Sequence, residues 1–447
     1  MQDDRRNKVI IMGAAGRDFH NFNVVFRNDP LTRVVAFTAA QIPDIAGRTY
    51  PPVLSGPLYP NGIPIVAESE LLSLIKRDRL NWVYFSYSDV SHQDVMHTAS
   101  TVLAAGANFA FLAPESTAIA PSKPVISVCA VRTGVGKSSA TCRIARFFLE
   151  RRRQVSVIRH PMPYGDLEAQ RVQRFGEMND LERLEATIEE REEYEPLLQM
   201  DITVFAGVDY HAILHRAEVD ADLIIWDGGN NDLPFVRPDL HVVLVDPHRP
   251  GDETSYHPGE ANLRMADLVI INKVDSATPG QLAQVQAGVE SVAKANVPVI
   301  LADSVLTVAD PDQVKGKRIL VVGDGPTLTH GGMAYGAGTI AARQLGAAEI
   351  VSGRQFAVGS ISDAYDTYPH MESEVPALGY SPEQLADLEA TLNAAEAELV
   401  LFATPVDLGQ LVSVNKPLVA VAYELEERGG EPAEILGDFD YYKLSGG

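Results

Sequence analysis

The chain has 447 residues, 46% apolar and 22% charged, enough for two to four globular domains at roughly 150 residues each. Acidic residues outnumber basic ones 60 to 37, a net charge of −23. Such a surface repels nucleic acid and anionic membrane, and a phosphorylated metabolite would need a local cationic pocket to bind. Cys129 and Cys142 lack metal-ligand spacing and suit buried small hydrophobes. No apolar run approaches the roughly 18 residues of a membrane span, so a cytoplasmic enzyme is expected.

Short apolar runs alternate with helical patterns from end to end, which predicts α/β architecture with mostly parallel sheet. A first, Rossmann-like block at 1–122 has strands at 9–12, 33–37, 82–85 and 108–112. Its Gly13-Ala14-Ala15-Gly16 turn lacks full G-x-G-x-x-G spacing, and no acidic residue closes the second strand. NAD is therefore not expected there, and Arg17 and His20 are candidates for an anion instead. After a linker at 120–124, a central block at 123–310 has strands at 125–128, 155–158, 223–226, 242–245, 268–271 and 297–301. An acidic helical insertion near 179–200 interrupts it, and Glu189-Glu190-Arg191-Glu192-Glu193 reads as a solvated helix face. A C-terminal α/β block at 311–447 has strands at 318–322, 398–402 and 418–422, and its tail from Gly429 is expected to be loosely held.

The second block opens with a strand, then Val131-Arg132-Thr133-Gly134-Val135-Gly136-Lys137-Ser138-Ser139, then a helix. This is the context a phosphate-binding loop requires. Glycines let backbone N–H groups close around phosphates, Lys137 reaches the β/γ oxygens, and the Ser138 hydroxyl ligates Mg²⁺. Val131 stands where the usual first glycine would be. The loop thereby resembles those of the SIMIBI class of P-loop proteins, and Arg132 takes the place of that class's signature lysine, which can reach across a dimer. The strand at 223–226 ends in Asp227-Gly228-Gly229, a Walker B pattern with Asp227 as a second Mg²⁺ ligand. Lys137, Arg132 and Asp227 are the catalytic candidates. Asn272-Lys273-Val274-Asp275 matches the guanine-reading motif of GTPases, and Ser304 falls where such folds close the base pocket. The nucleotide is expected to be ATP or GTP.

Arg159, His160, His248 and Arg249 all follow strand ends, where doubly wound sheets place ligands, and are candidates for a cationic pocket holding an anionic co-substrate. His330, in the glycine-rich run Asp324-Gly325-Pro326-Thr327-Leu328-Thr329-His330-Gly331-Gly332-Met333, is a further candidate for substrate contact.

Taken with Trp226-Asp227-Gly228-Gly229-Asn230-Asn231-Asp232 and Asp246-Pro247-His248-Arg249-Pro250-Gly251, these motifs resemble the cyclic 2,3-diphosphoglycerate synthetase-like family over nearly the whole chain. That resemblance implies a P-loop ligase or cyclase that closes a phosphoanhydride between two phosphates of a small metabolite, releasing NDP and phosphate. Arg159, His160, His248 and Arg249 would then cradle the substrate. The alternative is a GTPase acting as a switch or metallochaperone. SIMIBI proteins often pair near their nucleotides, so a homodimer is expected.

Overall fold

Val125–Ala130, Leu223–Asp227 and Leu240–Val245 are buried at every residue. A strand without a polar face must be covered on both sides, which helices laid across a parallel sheet achieve. The computed structural model describes residues 6–40, 45–160, 165–229, 232–329, 331–378, 381–404, 408–429 and 431–445, and it has this arrangement.

The fold is mixed α/β with two large, mostly parallel sheets. One runs in the order Thr49–Tyr50, Ile63–Ala67, Thr32–Ala39, Asn7–Met12, Trp82–Phe85, Asn108–Ala110, and only its first pair is antiparallel. The other begins Gln173–Phe175, Thr203–Ala206, Val155–Arg159, Leu223–Asp227, Val125–Ala130, Leu240–Val245, Leu268–Ile271. It continues through Val299–Val308, Leu418–Glu427, Leu399–Ala403, Arg318–Gly323 and Glu349–Val351. Every long run read as a strand is a strand. Those that escaped notice are short, as Gln173–Phe175 and Glu349–Val351 are.

Val299–Val308 extends well past residue 301 and pairs antiparallel with Leu418–Glu427, from Ala302 opposite Glu427 to Val308 opposite Val421. One sheet therefore crosses position 310. The two sheets are tied together by the ribbon of Val90–Ser91 with Tyr256–His257 and by a bridge from Ile119 to Val236. Among the described residues no helix is long and apolar enough to cross a membrane.

Three expectations need correction. The tail is a packed element: Glu431–Phe439 is helical, Leu436 and Phe439 join the main core, Arg153 Nε meets Asp440 Oδ1 at 2.7 Å, and Lys443 meets Asp239 at 2.7 Å. Nor is the acidic run a solvated face. In the helix Ile188–Leu198, Glu189, Glu190, Glu192 and Glu195 are all buried. Glu190 closes a capping box with Thr187, and Glu193 pairs with Arg159. His20 is likewise a core group, stacked on Phe235 at 4.2 Å, whereas Arg17, which donates to the Thr117 hydroxyl at 3.0 Å, also lines the cavity described below.

Phe439 contacts Phe148 with ring centroids 6.1 Å apart. Phe439→Ala should destabilise the protein by about 3 kcal/mol through the cavity it leaves. A thermal melt indistinguishable from wild type would show that the tail does not hold the core.

Candidate active site

Loops from both sheets open at the C-terminal ends of their strands into one cavity of about 960 Å³. Its centre is the phosphate loop. The strand Val125–Ala130 ends, residues 131–136 turn, and the helix Lys137–Leu149 begins. Gly134 and Gly136 have φ of 78° and 106°, a region side chains resist, and a Cβ on Gly136 would stand 2.3 Å from the Asn272 amide nitrogen. Three side chains hold the loop carbonyls from behind. Arg249 Nη2 donates to Thr133 O at 2.9 Å, Lys273 Nζ to Gly134 O at 2.6 Å, and Asn272 Nδ2 to Val135 O at 2.9 Å. Anchoring the carbonyls leaves the N–H groups of the loop and of the first helical turn for an anion. Residues 133–139 all line the cavity.

Asp227 lies on the strand beside the loop strand, opposite Val128, and is fully buried. Its Oδ2 accepts from Thr141 Oγ1 at 2.8 Å and from Arg159. Its Oδ1 accepts no hydrogen bond from the described residues, and Lys137 Nζ stands 3.8 Å away. A buried carboxylate oxygen of this kind, at the end of the strand beside the loop whose Ser138 lines the cavity, fits an Mg²⁺ ion that takes its remaining ligands from phosphate and water.

Arg132 turns into its own chain. Its Nε meets Asp89 Oδ1 at 2.6 Å, its Nη1 meets Asp252, and its guanidinium lies 3.6 Å from the Tyr256 ring centroid. Asp89 also accepts the Thr133 N–H at 3.1 Å, so this pair clamps the phosphate loop to the first block. Around the Asn272–Asp275 motif, Ser304 N donates to Asp275 Oδ1 at 2.8 Å, and His248 Nε2 lies 3.0 Å from Ser276 Oγ. Lys273 and Arg249 share Asp246; burial pushes its pKa up, but these two cations overcome that and hold it below the usual range.

Of the four residues read as a cationic pocket, His160, His248 and Arg249 line the cavity, each beside a partner in the protein itself. Arg159 is completely buried between Asp227 and Glu193 and does not line the cavity. Arg249 bridges the phosphate loop to Gly331 O at 2.6 Å. His248 sits beside Ser276, while His160 lies near the first block, beside Asp232. His330 lies outside the described residues.

One stretch of the wall is acidic. Glu189, Glu192 and Glu193 line the cavity with Asp324. Burial, and then the neighbouring Asp324, push the Glu192 pKa well above its ordinary 4.5, and the Thr404 hydroxyl bonds to it. Asp324 is raised by burial as well. On the first-block side, burial pushes Asp18 up to about 7. Sequence reasoning passed over Asp89, Asp232, Asp324 and the glutamates as site residues. Asp232 and Asp324 sit inside motifs already singled out, whereas Asp89 carries no signal.

Strand, glycine loop, helix and carboxylate-ended strand define a P-loop nucleotide-binding protein. No family model matches the sequence. Arginine synthetase ArcE of Thermococcus kodakarensis is 55% identical over 429 residues, covering 96% of each chain. This chain belongs to that protein's family. The diphosphoglycerate activity implied by the motifs does not figure in that relative's name. Among solved structures, LpxK from Aquifex aeolicus in complex with ATP is 15% identical, with a TM-score of 0.44 over 77% of this chain and 94% of that one. A ParA family ATPase from Chlorobium tepidum is 15% identical, with a TM-score of 0.24 over 43% and 88%.

A carboxyl whose folded pKa lies above its unfolded one holds its proton more tightly when folded, so it weakens folding as pH rises through that interval. Glu192→Gln removes this titration. Its stability relative to wild type should grow in urea unfolding as pH rises above the ordinary 4.5. A gain that shrinks with pH would mean that Glu192 is ionised and well paired.

Proposed function

We propose that the protein is a nucleoside-triphosphate-dependent synthetase that forms a C–N bond on an amino acid and yields arginine or a close guanidino relative. The carrying observation is the carboxylate wall, Glu189, Glu192, Glu193 and Asp324, in the same cavity as the phosphate loop. A wall of that sign suits a cationic group, whose arrival would draw the proton from Glu192 and exchange a buried neutral acid for an ion pair. The resemblance to an arginine synthetase supports the same reading.

The chemistry follows from the product. A guanidinium carbon bears three nitrogens, so a precursor with oxygen at one of these positions must exchange it for nitrogen. Transfer of the γ-phosphoryl group to that oxygen makes a leaving group, and nitrogen then displaces phosphate, giving NDP and phosphate as co-products. Lys137 reaches the β/γ oxygens, and the helix N-terminus and loop N–H groups hold them. Mg²⁺ on Ser138 and Asp227 would neutralise charge on the transferring group.

Closure of a phosphoanhydride in 2,3-diphosphoglycerate would set two phosphates against these carboxylates, with Arg159 already taken up by Asp227 and Glu193. The wall argues against it. A switch or metallochaperone role would leave the wall without a task. A homodimer remains part of the proposal, and Arg132 does not depend on it, because its partners are in its own chain.

Release of NDP should be stimulated by the ureido analogue of arginine in the presence of ammonium, glutamine or aspartate as nitrogen donor, with ATP and GTP run in parallel. Stimulation by 2,3-diphosphoglycerate instead, with a cyclic product in the phosphorus NMR spectrum, would replace the proposal. Lys137→Ala should abolish turnover in either case. Asp324→Asn should raise the amino-acid KM on the order of 10- to 100-fold, the worth of one charged hydrogen bond, with nucleotide affinity retained. An unchanged KM would remove the wall from substrate recognition.

A further inference from the structure

His160 follows the strand Val155–Arg159, the neighbour of the strand that carries Asp227. Two loops are shaped around its ring. A Cβ on Gly16, in the first block, would stand 2.0 Å from His160 Cε1, and a Cβ on Gly229 would stand 2.6 Å from its Cγ. Neither position has room for any side chain while the imidazole is there. Beyond the ring, Asp232 is 2% exposed and its Oδ2 lies 3.0 Å from Nδ1, with Phe235 packed at 6.3 Å between centroids. His160 and Asp232 both line the cavity that holds Lys137 and Ser138.

Nδ1 makes no hydrogen bond of good geometry with the described residues, but the buried carboxylate 3.0 Å from it favours a proton on that nitrogen, leaves Nε2 with the lone pair and stabilises an imidazolium. Among the described residues, the charged and titratable groups around this ring are Asp232 and, from the loop and short helix after Gly16, Arg17 and Asp18. Arg17 lies in the field of both carboxylates, and Asp18 Oδ1 is engaged by the Ala15 and Phe19 N–H groups at 2.7 Å each. His160 is thus the group in this corner built to accept a proton from something in the cavity.

From this arrangement we infer that His160 Nε2 is the proton acceptor for the attacking nitrogen in the second half of the reaction, and that Asp232 is its positioning residue. This rests on the synthetase reading above. As the C–N bond forms, an N–H proton passes to Nε2. The C–O bond to the phosphorylated oxygen breaks, and phosphate leaves with that electron pair. The His160–Asp232 pair carries the proton until it returns to solvent.

The test uses the full chain with two variants and two readouts. One readout is positional exchange of ¹⁸O within ATP when the ureido analogue is present without a nitrogen donor, which reports phosphoryl transfer alone. The other is formation of the C–N product with the donor that supports turnover. His160→Gln should lower product formation about 100-fold or more, the usual range for a lost general base, while changing exchange by less than about tenfold. Asp232→Asn should lower kcat more than it changes KM. It should also move the acidic limb of the kcat–pH profile to lower pH, because a neutral amide no longer favours the imidazolium. Equal losses of exchange and product would make His160 an acceptor-binding group and overturn the inference. If His160→Gln does not fold, the pH limb of Asp232→Asn decides alone, and an unmoved limb overturns it. A wild-type enzyme that forms no C–N product removes the synthetase reading and this inference together, whereas product formation untouched in His160→Gln removes only the inference.

Discussion

The buried chain Thr141–Asp227–Arg159–Glu193 holds the two ends of the cavity in a single frame. Asp227 stands at the end of a strand beside the phosphate loop, and Arg159 occupies the matching position one strand further out, opposite it in register. Neither is exposed, so each charge needs the other; removing one partner of such a pair typically costs 3–5 kcal/mol, roughly the stability margin of a domain. On its far side the same guanidinium grips Glu193, which belongs to the helix Ile188–Leu198 and to the acidic wall. The nucleotide end and the opposing wall are therefore spaced by one arginine.

A second tier of contacts keeps the phosphate loop in shape. Arg249, Lys273 and Asn272 grip its carbonyls, and Asp89 with Arg132 fastens its N-terminal side to the first block. These side chains come from segments far apart in sequence, which is how a glycine-rich loop, floppy in isolation, becomes a preorganised anion site. The first block contributes Asp89, Gly16 and Asp18 as cavity wall or clamp.

Much of this was legible in the chain. The loop at 131–139, the carboxylate-ended strand and the long apolar strands are local patterns, and a strand buried on both faces writes itself as an unbroken apolar run. What escaped notice depends on distant partners. Glu192 looked solvated because its environment is made by Thr404 and Asp324, each more than a hundred positions away. Arg159, His248 and Arg249 were recognised as strand-end cations, but a cation's task is set by the carboxylate it meets, and Asp227 and Asp246 had met two of them first. The tail looked loose because its anchors, Phe148, Arg153 and Asp239, are invisible from its own composition.

The antiparallel join of Val299–Val308 with Leu418–Glu427 has a consequence for how the chain is made. During synthesis the growing edge of the central sheet emerges more than a hundred residues before the strand that covers it. For that interval a long strand presents unpaired N–H and C=O groups, the kind of edge that recruits other chains. The helix Glu431–Phe439, which completes the same core with Leu436 and Phe439, arrives later still. A nascent chain is thus obliged to keep its nucleotide-binding half unfinished until residues 418–439 have left the ribosome, and a product released before them carries an open edge in place of a closed sheet.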